Sequence, residues 1–179
     1  MFAPYGSRKG KSMPGDPGGK AIHTRKAKQM KIAIGCDHGA YLLKNEIKEY
    51  LESKGIEVTD FGTNGPESVN YPVFAKGVCK AVQNKEADFG VLLCTTGIGM
   101  SMAANKFRGI RAALCSNEYQ SGLTRAHNNA NVLVLGAGYV GAGLAKAIVD
   151  RFLETEFMGG RHAVRVGMIA EIEEEEAQK

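Results

Sequence analysis

The run Cys94-Thr-Thr-Gly-Ile-Gly99 puts a thiol directly ahead of two threonines and two glycines. It lies between an apolar stretch, Phe89–Leu93, and the helix-forming Met100-Ser-Met-Ala-Ala104. Glycines between a strand end and a helix start let consecutive backbone N–H groups point into one small space, and the helix N-terminus adds partial positive charge there. Such a setting favours the thiolate of Cys94 and offers donors to an oxyanion. The spacing is also compatible with a tight turn around a small buried cysteine.

Other candidates stand at element ends. Asp37-His38 follows the apolar Lys31–Gly35 and suits an acid/base or ligand pair, although a histidine beside an apolar segment is often structural. His127-Asn128 precedes Val132–Leu135, where the alternative is a loop histidine. Arg161 and Arg165 are four residues apart, on one helix face, a spacing that suits a phosphate or carboxylate but also an exposed basic face. Gly136-Ala-Gly138-Tyr-Val-Gly141 is a literal GxGxxG. It follows the last strand instead of opening the first βαβ unit, and no later strand ends in an acid for a ribose hydroxyl. Close helix–sheet packing explains those glycines better than a dinucleotide, so no cofactor is expected. A metal would need His38, His127, His162 and a carboxylate to converge without a ligand signature, and none is expected.

These residues need a scaffold, and the apolar pattern supplies one. Strands are expected at Lys31–Gly35, Glu57–Phe61, Phe89–Leu93, Ile110–Cys115 and Val132–Leu135. Helices are expected over about 40–54, from Pro72, from Met100, over a polar stretch to about Ala126, over 140–153, and from Arg161. Strands alternating with helices imply a single α/β domain, a doubly wound parallel sheet of about five strands with helices on both faces, Rossmann-like. Ligands collect at the carboxyl ends of such strands. By that rule Asp37-His38, Cys94–Gly99 and His127-Asn128 are expected on one edge.

Charge divides the chain. Residues 1–30 hold seven Lys/Arg against one acid, Asp16, so the net charge of +4 comes from this leader and the remainder is mildly acidic. The leader, rich in Gly and Pro, is expected to be disordered, residues 31–172 to fold, and 173–179 to form an acidic tail. No basic stripe remains for nucleic acid. No apolar run approaches the roughly 20 residues of a membrane span, so a soluble protein is expected. Cys36, Cys79, Cys94 and Cys115 show no CxxC spacing, and reduced thiols in the cytoplasm are the default.

Taken together, Gly35-Cys-Asp-His-Gly39, Asn70-Tyr-Pro72, Cys94 through Lys106, Gly109-Ile-Arg-Ala-Ala113, His127-Asn-Asn-Ala-Asn131 and Gly159-Gly-Arg-His162 resemble the type B ribose-5-phosphate isomerase family. The resemblance spans about residues 30–170 and extends to the related galactose-6-phosphate isomerase subunits. It implies a metal-free aldose–ketose isomerase of the pentose phosphate pathway, acting on ribose 5-phosphate and ribulose 5-phosphate through a cis-enediolate. It implies Cys94 as the base, with Thr96 and the N–H groups of Thr95, Gly97, Ile98 and Gly99 as the anion hole. It further implies His127 as the ring-opening group with Asn128 beside it, Asp37, His38 and Tyr71 on the sugar, and Arg161 and Arg165 on the phosphate from a partner subunit. A homodimer follows, with pairing into a tetramer open. Three positions depart from the family's usual pattern: Thr95 for glycine, Asn70 for aspartate, and Gly138 for a phosphate-holding arginine. A different sugar phosphate, or binding without catalysis, is the alternative these departures leave.

Overall fold

The computed structural model describes residues 29–178; the leader over 1–28 lies outside them. Five strands form one parallel sheet: β1 (Lys31–Cys36), β2 (Glu57–Asp60), β3 (Phe89–Cys94), β4 (Ala112–Leu114) and β5 (Val132–Gly136). Their order across the sheet is β2-β1-β3-β5-β4. Six helices connect and cover them: α1 (Tyr41–Ser53), α2 (Tyr71–Gln83), α3 (Ile98–Ala104), α4 (Glu118–Asn128), α5 (Ala142–Glu154) and α6 (Arg161–Glu176). The expected doubly wound α/β domain is therefore what the chain forms.

The burial of each strand follows its place. All five residues of β5 and all but the first of β1 and β3 are buried, as befits central strands covered on both faces. Edge strands β2 and β4 carry no fully buried residue. On one face, Ile34, Val91, Leu93, Leu133 and Leu135 pack with Leu43, Ile47 and Leu51 of α1 and Ile148, Val149 and Phe152 of α5. On the other, Ala33, Leu92, Val132 and Val134 pack with Val78 and Cys79 of α2 and Met100 of α3. Each fully buried large aliphatic or Phe side chain contributes about 1.5–3 kcal/mol of transfer free energy.

Differences from the expected bounds have local reasons. Strand β4 begins only at Ala112, after Arg111 N–H has gone to the Asn131 side chain, and spans three residues. Helix α3 begins at Ile98, two residues early, because left-handed Gly97 (φ 78°) turns the chain straight into it. Helix α6 runs through the acidic residues from 173 to its end at Glu176. It is also engaged: Gly109 N–H donates to Glu173, and Arg108 pairs with Glu174 at 2.8 Å.

Candidate active site

The chain winds in opposite directions from β1 and from β3, and this switch opens a crevice at their carboxyl ends. Cys94 is the last residue of β3 and is 5% exposed. Its Sγ accepts a hydrogen bond from Gly97 N–H at 2.9 Å. The turn needs glycine there: besides its φ of 78°, a Cβ on Gly97 would lie 2.4 Å from Leu114 Cδ1 and 3.2 Å from the Leu135 carbonyl. Thr96 Oγ1 accepts from Ile98 N–H at 3.2 Å. The amides of Thr95 and Thr96 make no hydrogen bond among the described residues. The other three cysteines are buried thiols, pushed up to about 12 (Cys36, Cys79) and about 11 (Cys115), in each case chiefly by loss of solvent.

Two further loops close around this turn. After β1, Asp37 is buried and its Oδ1 accepts from Gly39 N–H at 3.0 Å. Next to it, His38 Nδ1 accepts from Val69 N–H at 3.3 Å. A neutral imidazole that accepts at Nδ1 carries its proton on Nε2, so His38 is a donor at its free nitrogen. Tyr71 opens α2, and its ring covers Gly99 so closely that a Cβ there would sit 2.6 Å from Cζ. Thr95 bridges the loops: a Cβ on Gly39 would meet its Oγ1 at 2.0 Å, and one on Gly138 would meet its carbonyl oxygen at 3.0 Å.

That last contact accounts for two of the three fingerprint glycines, Gly136 and Gly138, whereas a Cβ on Gly141 would meet nothing within 4 Å. Ala137 N–H donates to the Cys94 carbonyl and Gly138 N–H to the Thr95 carbonyl, both at 2.9 Å, while a Cβ on Gly136 would lie 2.6 Å from the Thr96 oxygen. The glycines let the loop after β5 press on the Cys94 turn. Gly138 N–H is spent in doing so.

His127 and Asn128 are not at this edge, which corrects the expectation that three clusters share it. Helix α4 begins just beyond the carboxyl end of β4 and returns, so its last residues lie beyond the amino end of β5. The register pairs Gly90 with Val132 and Cys94 with Gly136. Four strand steps, about 13 Å, therefore separate the two edges. The rule for carboxyl ends applies to residues that follow a strand, and His127 precedes one. Arg111 fixes this corner by donating from Nε to the carbonyls of Asn128 and Asn129 at 3.0 Å.

At the amino edge His127 meets the start of α6. Its ring stacks on that of His162 with centroids 4.2 Å apart and planes 3° from parallel. Burial holds the His162 imidazole below its ordinary range, with His127, Arg161 and Arg165 adding repulsion. Arg161 and Arg165 are exposed on the first turns of α6. His162 enters the sequence reading as a possible metal ligand and within the Gly159-Gly-Arg-His162 motif, and nothing in its spacing pairs it with His127. Arg108 and Arg125 do not replace the arginine absent at Gly138, because both are engaged elsewhere. Arg108 pairs with Glu174, and Arg125 lies over Phe89 and Phe152 with Nη1 on the Ala130 carbonyl at 2.6 Å.

Within one chain, then, the expected residues form two groups. Asp37, His38, Tyr71 and Cys94–Gly99 surround a thiol at the carboxyl edge, and His127, Asn128, Arg161 and Arg165 make a cationic corner at the other.

Residues 32–169 match the family described as Ribose/Galactose Isomerase. The chain is 50% identical over 144 residues to the ribose-5-phosphate isomerase B of Escherichia coli, covering 80% of this chain and 97% of that protein. It is 43% identical over 148 residues to the D-erythrulose-4-phosphate isomerase of Pectobacterium atrosepticum, covering 82% and 97%. The structure of ribose-5-phosphate isomerase B from Clostridium thermocellum superposes with a TM-score of 0.81 at 55% identity, over 82% of this chain and 99% of that one. The type B enzyme of Leishmania infantum gives 0.79 at 46% identity, over 83% and 99%. A two-edged α/β domain with a thiol turn on one side and a cationic corner on the other, matched over nearly the whole of its folded part, belongs to the ribose/galactose isomerase family.

Proposed function

We propose that this isomerase interconverts ribose 5-phosphate and ribulose 5-phosphate through a cis-enediolate, without a metal. The observation that carries the reading is the Cys94 sulfur, which ends β3 and accepts a hydrogen bond from the turn that follows. Moving a proton between C1 and C2 needs a base of moderate pKa and fixed donors aimed at the developing oxyanion. Cys94 is the base, and Thr96 receives the enediolate oxygen together with those amides of residues 95–99 that do not already donate to Cys94 Sγ or Thr96 Oγ1. Asp37, His38 and Tyr71 hold the sugar hydroxyls.

The ring-opening role falls to His127, with Asn128 beside it, and the phosphate to Arg161 and Arg165. Because these lie on the opposite edge of their own sheet, the reading requires them from a second copy of the chain. Helix α6 supports this: only His162 of it is buried, while Val164, Met168 and Ile172 are 66%, 56% and 60% exposed on one side. Such an apolar helix face is commonly an interface. We therefore read a homodimer with each site assembled from both subunits, in the cytoplasm, where its four free cysteines stay reduced.

The test is NMR observation of ribose 5-phosphate with the purified protein in EDTA, alongside Cys94→Ala. Ribulose 5-phosphate should appear with the wild type, and Cys94→Ala should lower the rate by about a thousandfold or more while the fold persists. Near-normal turnover by the variant would remove Cys94 from the mechanism. An inactive wild type would move the substrate to another aldose phosphate, beginning with a four-carbon one, as the name of the Pectobacterium relative suggests.

A further inference from the structure

Lys44 lies on α1 and is fully buried. An ammonium group leaves water only at a cost unless it is paired and hydrogen-bonded. Its Nζ stands 2.7 Å from Asp60 Oδ2 and 2.8 Å from Asn64 Oδ1. Asp60 ends β2, and Asn64 belongs to the segment 61–70 that leads to Tyr71. From Gly62 to Ser68 that segment has no large apolar side chain with which to anchor itself.

The polar contacts continue in both directions. Asp60 Oδ1 accepts from Gly62 N–H at 2.8 Å, and Lys48 stands 3.8 Å from Asp60 Oδ2 on the exposed side. Gly62 is wedged between α1 and β1: a Cβ there would lie 2.8 Å from Cys36 N and 3.0 Å from Lys44 Cδ. Thr63 N–H donates to the Cys36 carbonyl at 3.3 Å, and the Cys36 thiol donates to the Thr63 carbonyl at 3.5 Å. Cys36 immediately precedes Asp37-His38. At the far end of the segment Val69 N–H reaches His38, and Tyr71 covers Gly99. A buried ion pair is weak support for stability as such, since a well-packed apolar side chain fills the same space without desolvation. What the pair does supply is a direction, because both of Lys44's partners lie at or just after the end of β2.

We propose that Lys44 is a positioning residue, a latch that fixes segment 61–70 and through it the His38–Tyr71 wall of the sugar site. The proposal rests on the isomerase reading above for the identity of that site. Lys44 touches none of the reacting groups and acts through Asn64 and Asp60.

The test uses Asn64→Ala, which frees the loop but keeps the ion pair, and the double variant Lys44→Met/Asp60→Asn, which leaves no uncompensated charge buried. Hydrogen–deuterium exchange of residues 61–71 is followed without substrate, and KM and kcat are measured on ribose 5-phosphate. The latch predicts exchange about tenfold faster in the double variant, KM raised about tenfold there and about threefold in Asn64→Ala, and kcat within about twofold of wild type. Unchanged exchange in both variants overturns it. So does a lower apparent kcat at unaltered KM, the pattern of a smaller folded fraction. If the wild type is inactive on ribose 5-phosphate, the substrate reading fails, and the exchange measurement alone decides the latch.

Discussion

The carboxyl edge of the sheet ends in a thiol, a carboxylate and a phenol, whereas the amino edge gathers two imidazoles with Arg111, Arg125, Arg161 and Arg165. The first edge has a thiol and backbone N–H donors but no arginine in the Cys94 turn or the loops packed on it. The second has guanidinium groups and two imidazoles but no thiol among those groups. Under the proposed function each is half of the site that an aldose–ketose isomerase of a sugar phosphate needs. In the homodimer proposed above, a two-fold axis would place the same two patches against each other twice, so that one pairing of identical chains would complete both sites. The fold can then evolve the two halves on rigid elements that never meet within a chain.

The largest effect separates the halves genetically. Cys94→Ala and His127→Asn should each be strongly impaired on ribose 5-phosphate as homodimers. When the two are unfolded together and refolded at equal amounts, half of the dimers are mixed, and each mixed dimer has one site with both Cys94 and His127. Rate should recover to about a quarter of wild type if the interface is isologous. No recovery would mean that each chain supplies its own complete site, and the comparison between edges would lose its functional meaning.

Sheet, helices and most of the carboxyl edge were legible because local rules dictate them. The apolar runs at 89–93 and 132–135 have the uninterrupted pattern of strands buried on both faces, and residues that follow a strand fall at its carboxyl end. His127 was misplaced because its position depends on how far α4 runs back before β5, not on its nearness in sequence to that strand. Lys44 was invisible for another reason. It sits three residues before Ile47 and seven before Leu51, within the apolar stripe, where a charge is easily read as a stripe margin. Its partners, Asp60 and Asn64, are 16 and 20 residues away and become neighbours only once β2 is docked. A lysine inside an apolar stripe followed by an acid at the next strand end was the signal available.

A smaller effect sharpens the contrast in backbone demands. Gly97 at the carboxyl edge (φ 78°) and Gly109 near the amino edge (φ 72°) both adopt left-handed conformations, yet only Gly97 is crowded. Gly109→Ala should cost about 1–2 kcal/mol, the backbone penalty alone. Gly97→Ala should cost more, because the added methyl also meets the Leu135 carbonyl at 3.2 Å, and it should lower kcat by displacing the N–H that serves Cys94. Urea denaturation and turnover on the two variants check this. Equal losses of stability, with Gly97→Ala fully active, would show the Cys94 turn to be as tolerant as the other.

The smallest effect belongs to the amino edge and is read in pH. His162 is held below its ordinary value of 6.5 by burial first and by His127, Arg161 and Arg165 second. A base with a lower pKa folded than unfolded binds fewer protons in the native state as the solution is acidified, so the unfolded state gains protons first and stability falls. The contribution of His162 is therefore fully present above about pH 6.5, the unfolded value, and is lost as the pH drops below it. His162→Phe keeps a ring against His127 but cannot protonate, and its melting temperature should fall less than that of wild type between pH 7 and pH 5. A parallel fall in both would mean that the cationic corner tolerates a protonated His162. The stack would then owe its place to packing, and the amino edge would hold its positive charge without strain from within.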